Sequence, residues 1–233
     1  MEVVPLHPWD LSPAEAVRLQ ERLRDRLVAQ PPPGFDPRRI AGADLSISRG
    51  SRRGFAGIVV LDPRTMDTVD EAAAAVDVDF PYVPGLLSFR ELPALAAAWK
   101  RLLTRPDVII FDGHGIAHPR RFGIACHGGL LFDIPTIGCA KSILVGTHGP
   151  LGEERGSTSP LVHRGEVVGM AVRTRPRVRP VYVSPGHLMD LSTAVELVLR
   201  VTAGYREPET TRRSHRLVNR IRKEKEGGTG KAP

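Results

Sequence analysis

The rhythm of apolar and polar positions changes several times along the chain, and each change marks an element. Residues 12–28 carry Val17, Leu19, Leu23 and Leu27 as a partial stripe at helical spacing. Ser12, Pro13 and Glu15 supply an N-cap, a favoured first helical position and a capping box, and Pro31-Pro32-Pro33-Gly34 stops the helix. Residues 40–47 and 57–61 read as short strands. A third strand runs over about 65–78, where Val76 and Val78 alternate with Asp77 and Asp79. Short turns between these three predict an antiparallel meander. A basic turn, 49–53, joins the first two.

Beyond Phe80 the period changes. An Ala- and Leu-rich helix over 86–103 leads to the apolar run 108–111, a buried strand. A short helix is expected over 122–131, a strand over 135–140, a polar, Gly-rich surface loop over 146–160, and strands over 167–172 and 181–183. An amphipathic helix over 188–201 and a basic helical segment over 212–225 complete the pattern, and 226–233 is expected to be a disordered tail. Strands first, then helices alternating with strands, predict an α/β fold in which one mixed sheet carries helices on its faces. By analogy this is the ribonuclease H-like plan. No repeat or interdomain linker breaks 1–225, so that span is expected to be one domain.

The chain has 233 residues, enough for a sizeable core, and its 41% hydrophobic and 25% charged composition suits a soluble globular protein. No apolar run reaches the roughly 18 residues of a membrane span. Met1 to Pro5 shows no basic stretch leading into an apolar core, so no signal peptide is expected and a cytoplasmic location follows. Cys126 and Cys139 form neither a zinc knuckle nor a disulfide framework and read as buried thiols. The net charge of +7 is unevenly placed. Residues 173–225 hold 13 Lys and Arg against 5 Asp and Glu, while the rest is nearly neutral. A basic region on a neutral body points to a polyanionic partner, with a solubilising segment as the alternative.

Candidate chemistry gathers at strand ends. Asp44 lies in the first strand and Asp112 ends the run 108–111, while Glu91 lies near the start of the intervening helix. A buried carboxylate needs a partner. Three on adjacent elements can converge on a hard divalent cation such as Mg²⁺, which takes oxygen ligands and supports phosphodiester cleavage. Each also has a structural reading. Ser88 to Glu91 spells a second capping box, and Asp44 can pair with an arginine. His114 and His118 are spaced i, i+4, but Gly115 and Pro119 argue against a helix, so a phosphate contact or proton transfer suits His118 better than zinc. Lys141, just past a strand, offers a point charge for a phosphate or an attacking water. His148, His163 and His187 show no partners and read as surface or loop residues. Pro81-Tyr82-Val83-Pro84-Gly85 is a stiff turn presenting an aromatic and a branched side chain. It reads either as a wedge that unstacks bases or as a core-packing connection.

Residues 81–91 (PYVPGLLSFRE) together with 112–120 (DGHGIAHPR) resemble endonuclease V. Ala41-Gly42-Ala43-Asp44, residues 134–138 with Ala140-Lys141, Gly186-His187 and Gly204-Tyr205-Arg206 fit the same family, over about residues 8–225. The resemblance implies a ribonuclease H-like fold and a repair enzyme that recognises deoxyinosine. It implies hydrolysis of the second phosphodiester bond on the 3′ side, leaving 3′-hydroxyl and 5′-phosphate ends, with Mg²⁺ or Mn²⁺ as cofactor. By matching positions, Asp44 and Asp112 would hold the metal with Glu91 beside them, and Lys141 and His118 would act on the phosphate or the attacking water. His215 would lie near the metals, where family members carry His or Asp. Tyr82 would lead the wedge, with Pro81, Val83 and Pro84 around it and Arg90 and Arg120 on the nucleic-acid side. Gly85 and Leu87 would line the lesion pocket. Glu207 and Arg213 stand where apolar residues are usual in the family, and 46–53 is atypical. The expected partner is inosine-containing DNA or, as the alternative, inosine-containing RNA, met by a monomer away from membranes. A non-catalytic nucleic-acid-binding protein of the same fold is the third reading, and the intact Asp44, Glu91, Asp112 set argues against it.

Overall fold

The computed structural model describes residues 1–48 and 51–227. Helix α1 is Pro13–Arg24, begun by the capping box that Ser12 and Glu15 spell. Strands β1 (Ile40–Ile47), β2 (Arg53–Leu61) and β3 (Thr68–Asp77) follow, then α2 (Leu87–Trp99), β4 (Val108–Phe111), α3 (Ile124–Phe132) and β5 (Thr136–Ala140). The chain ends with β6 (Thr147–His148), β7 (Thr158–His163), β8 (Glu166–Val172), β9 (Val181–Pro185), α4 (Leu191–Arg200) and α5 (Glu209–Gly227). One nine-stranded sheet in the order β3-β2-β1-β4-β5-β9-β8-β7-β6 carries the whole arrangement. β1 to β3 form the antiparallel meander, β4 and β5 join in parallel, and β9 to β6 return antiparallel. The fold is a ribonuclease H-like mixed sheet with flanking helices.

Alternation along the strands assigns the faces. Ala41, Ala43, Ile109 and Phe111 pack under Leu92, Leu95 and Trp99 of α2 and Phe132 of α3. Ile40, Val108 and Ile110 face the other way, towards Leu197 and Val198 of α4. Helix α5 covers β2 on this second face, where Leu217 meets Val59 and Leu61. Gly42 makes that approach possible, since a Cβ there would come within 2.3 Å of the Thr210 carbonyl carbon. Asp44 follows Gly42 by two residues on the same strand face, so α5 is brought directly over it.

Four expectations change. The polar loop expected over 146–160 holds β6 and the first half of a β7 that runs to His163. Only Ser159 and Leu161 are buried in β7, and Pro160 lies beyond the two-residue pairing with β6, so the apolar signal is thin. Helix α2 begins at Leu87, so Ser88 lies inside it and caps nothing. Instead the buried Ser88 hydroxyl meets His127 Nδ1 at 3.0 Å. His187 is buried, and its Nδ1 accepts the Val28 N–H. Helix α5 reaches Gly227, so the expected tail begins as helix, and 228–233 lie outside the described residues, as do Arg49 and Gly50 of the expected basic turn. Cys126 and Cys139 are free buried thiols, and burial pushes Cys126 up to about 12. Among the described residues no helix is long and apolar enough to cross a membrane.

Candidate active site

Parallel pairing of β1 with β4 sets Ala43 opposite Phe111, so Asp44 and Asp112 follow on neighbouring strands. Asp44 Oδ2 accepts a hydrogen bond from His215 Nδ1 at 2.9 Å, and His215 Nε2 lies 2.9 Å from Asn219 Nδ2. With Nδ1–H donating to the carboxylate, Nε2 accepts from the amide, which fixes one tautomer of the ring. Burial raises the Asp44 pKa, against the opposing pull of His215. Asp112 Oδ2 is 2.6 Å from Lys141 Nζ, and Glu207 Oε2 is 3.3 Å from the same ammonium. Burial works against the Lys141 charge, but Asp112 and Glu207 together outweigh it and raise its pKa.

Glu91, in α2, is pushed up to about 8, first by burial and then by the charges of Asp44 and Asp112. Its carboxylate takes no hydrogen bond from any described residue. The three acids therefore feel one another, but Asp44 is turned to His215 and Asp112 to Lys141. Among the described residues no three His, Cys, Asp or Glu side chains stand as a ready-made chelate.

A cavity of about 290 Å³ opens beside these acids, lined by Tyr82, Gly85, Leu87, Asp112, His114 and Lys141 among others. Its outer rim is the proline-stiffened turn, from which Tyr82 projects 72% exposed, while Pro81 and Pro84 are exposed and Val83 is half-buried against Phe80 and Phe89. Gly85 has φ of 79°, a left-handed conformation that favours glycine. Three donors converge on its carbonyl: Gln20 Nε2 at 3.0 Å, His118 Nε2 at 3.0 Å and Arg120 Nη2 at 2.8 Å. Gln20 Oε1 also accepts from Arg120 Nε at 2.6 Å. Arg90 ties the other end of the turn, donating to the Phe80 carbonyl at 3.3 Å.

His118 and Arg120 thus hold the turn. His118 Nδ1 accepts the Arg120 N–H, which commits both ring nitrogens to backbone groups, and burial lowers its pKa to about 4. His114 is likewise lowered to about 4 by burial, and its Nδ1 is buried without a hydrogen-bond partner. The segment between β4 and α3 is irregular, as Gly115 and Pro119 lead one to expect.

Sequence reasoning missed Gln20 and Asn219. Gln20 had a signal: it is the one polar residue among the buried Ala16, Leu19 and Leu23 of α1. Asn219 had only its i, i+4 spacing from His215.

A ribonuclease H-like sheet with three interacting acids at adjacent strands and a helix defines the chain as nuclease-like in class. The family model for Endonuclease V matches residues 21–216. A curated Endonuclease V of Myxococcus xanthus is 70% identical over 215 residues, which is 92% of each chain. The crystal structure of endonuclease V from Streptomyces avermitilis superposes with a TM-score of 0.86 at 45% identity, covering 93% of this chain and 95% of that one. Endonuclease V from Ciona intestinalis is similar, with a TM-score of 0.77 at 28% identity over 91% and 97% of the two chains. That structure is a complex with a 23mer DNA containing an inosine followed by a ribo-adenosine. The chain belongs to the endonuclease V family.

Proposed function

We propose that this protein is a divalent-cation-dependent endonuclease that finds deoxyinosine and cuts the second phosphodiester bond on its 3′ side. The products carry 3′-hydroxyl and 5′-phosphate ends. The observation that carries this reading is that Asp112, which interacts with Glu91 and Asp44, lines a cavity whose rim presents an exposed Tyr82.

The residues fit a cation. Glu91 is a half-buried carboxylate with no hydrogen-bonding partner among the described residues, crowded by two further acids, and such a group needs a compensating positive charge. Asp44, Asp112 and Glu91 would hold Mg²⁺ or Mn²⁺ through oxygen alone. When bound, the cation supplies charge stabilisation at the scissile phosphate.

The chain's own residues do the rest. Lys141 keeps a charged ammonium at the end of β5 for a phosphate oxygen. His215 and Asn219 orient the Asp44 carboxylate. Gln20, His118 and Arg120 fix Gly85 and so the direction in which Tyr82 projects, and Arg90 secures the other end. An apolar ring on a rigid turn opens a base step and leaves the cavity for the lesion base. The reading places the protein in repair of deaminated DNA, acting as a cytoplasmic monomer.

A second reading is cleavage of inosine-containing RNA. It is favoured by the ribo-adenosine after the inosine in the substrate bound to the Ciona relative. Matched DNA and RNA oligonucleotides, each with one inosine, separate the two when incubated with and without Mg²⁺ and their product ends mapped. Cleavage of the DNA at the second 3′ bond is expected. Uncut inosine substrates of both kinds in Mg²⁺ would overturn the proposal.

A further inference from the structure

Helix α5 does more than place His215. His215, Asn219 and Arg222 recur at i, i+4 and i+7, so they share one face of the helix, and Lys225 continues it by one turn. From His215 to Arg222 the helix advances about 10 Å, a length over which a nucleic-acid strand presents roughly three phosphates. At its far end this face opens into a groove of about 870 Å³ between α5 and the β1–β2 hairpin, distinct from the cavity at Tyr82. Arg53, Arg222 and Lys225 stand on its walls with the hydroxyls of Ser48 and Ser51.

The charges in the groove are unevenly satisfied. Arg53 is 3.2 Å from Asp77. Glu226, the acid on the wall, is engaged by the Ser48 hydroxyl. Arg222 and Lys225 pair with no described acid, and Arg222 Nε is buried without a hydrogen-bond partner. A guanidinium N–H that has lost water and gained no acceptor is costly unless a ligand supplies one. A guanidinium and an ammonium beside the Ser51 hydroxyl, which accepts from the Arg53 N–H and keeps its own proton to donate, match phosphate oxygens.

We propose that this groove carries the phosphate backbone of the substrate strand away from the active site, with Arg222 and Lys225 as its phosphate contacts. The inference rests on the nucleic-acid reading above and adds a direction: the strand runs from Asp44 along α5 towards Arg53. Only a strand with an arm long enough to reach the groove gains from it. One arm of the substrate, 5′ or 3′ of the lesion, therefore matters more than the other.

The test is binding by fluorescence anisotropy without divalent cation, so that it does not depend on cleavage. The probes are a long DNA oligonucleotide with a central inosine and two versions trimmed close to the inosine on the 5′ or the 3′ side. The double variant Arg222→Ala with Lys225→Ala should bind the long probe about tenfold to a hundredfold more weakly at low salt, and its slope of log affinity against log salt should fall by about 2. Trimming the arm that occupies the groove should impose the same loss on the wild type and erase the difference between the proteins. Arg222→Lys, which keeps the charge, should retain the wild-type slope. Circular dichroism confirms that the variants are folded. An unchanged slope in the double variant, or an equal loss on the long probe and both trimmed probes, overturns the proposal. Failure of the underlying reading shows separately, as equal binding of inosine and adenine probes by the wild type.

Discussion

Lys141 Nζ lies 2.6 Å from Asp112 Oδ2, so the ends of β5 and β4 are tied by a charged pair inside the candidate site. Under the proposed function the same oxygen would be a cation ligand. If Asp112 turns to a cation, the ammonium keeps Glu207 as its remaining carboxylate, and Arg206 braces the Lys141 carbonyl at 2.6 Å. Asp44→Asn and Asp112→Asn should each abolish Mg²⁺-dependent cleavage while leaving the fold and much of the nucleic-acid binding in place, because a missing ligand charge weakens the cation site. Single-turnover cleavage and circular dichroism decide it, and near wild-type turnover in either variant would remove these residues from the chemistry.

Glu91 gives a pH prediction. Its pKa of about 8 lies above the ordinary carboxyl value, so between those two limits the folded protein holds a proton that the unfolded chain has released. Stability from this group is present in full below the ordinary value and is lost as pH rises towards and through 8. In chelator, the melting temperature should fall by several degrees between about pH 5 and pH 8, since one kcal/mol moves a domain of this size by about 2–4 °C. Glu91→Gln should flatten that fall. Mg²⁺ should raise the wild-type melting temperature most at the alkaline end. A pH-independent difference between wild type and Glu91→Gln would contradict the crowding of the three acids.

Gln20 is far in sequence from the acids, yet it bonds the carbonyls of both Gly85 and Phe122 and the Arg120 guanidinium. Gln20→Ala should lower stability by about 1–3 kcal/mol, the cost of leaving buried partners unsatisfied. It should also reduce discrimination between inosine-containing and undamaged duplex, because the Gly85 turn loses a donor. Chemical denaturation and competitive cleavage measure the two effects. Full discrimination in a destabilised protein would show that Gln20 serves the fold alone.

What could be read from the sequence was what depends on local chemistry. The capping box of α1, the meander of β1 to β3 and the apolar run of β4 all rest on neighbouring residues, and the structure follows them. The start of α5 was read three residues late. Thr210, Thr211 and Ser214 look unhelical, but they are buried where Gly42 lets the helix backbone meet β1. The apparent capping box at Ser88 failed for a related reason: burial of Phe89, Leu92 and Leu95 sets the start of α2, and Pro93 is carried inside it. At the site, Asp44 and Asp112 announced themselves as acids within or just past apolar strands, and Glu91 as an acid in the helix between them. The partners that aim them, His215 on Asp44 and Glu207 on Lys141, are contacts between distant parts of the chain that no local pattern encodes, and Asn219 is one helical turn from His215 but gains its role only through that ring.

Tyr82 offers the most direct test of the wedge. Its ring is 72% exposed on a turn whose two ends are tied by Arg90 and by the three donors on Gly85. An exposed aromatic on a rigid support contributes little to folding, so Tyr82→Ala should leave stability within about 0.5 kcal/mol of wild type. On duplex substrate the loss should be large. Turning a base out of the stack costs a few kcal/mol. A ring that fills the gap offsets part of this, since base stacking on an aromatic side chain is worth about 1–3 kcal/mol. Productive binding of an inosine duplex should therefore fall roughly tenfold to a hundredfold, as ~1.4 kcal/mol is a factor of ten. On single-stranded substrate there is little stack to open, and the loss should shrink towards nothing. Single-turnover cleavage of matched single- and double-stranded substrates by both proteins measures the contrast. An equal loss on the two would mean that Tyr82 acts on the lesion base or the chemistry, and not by parting the strands.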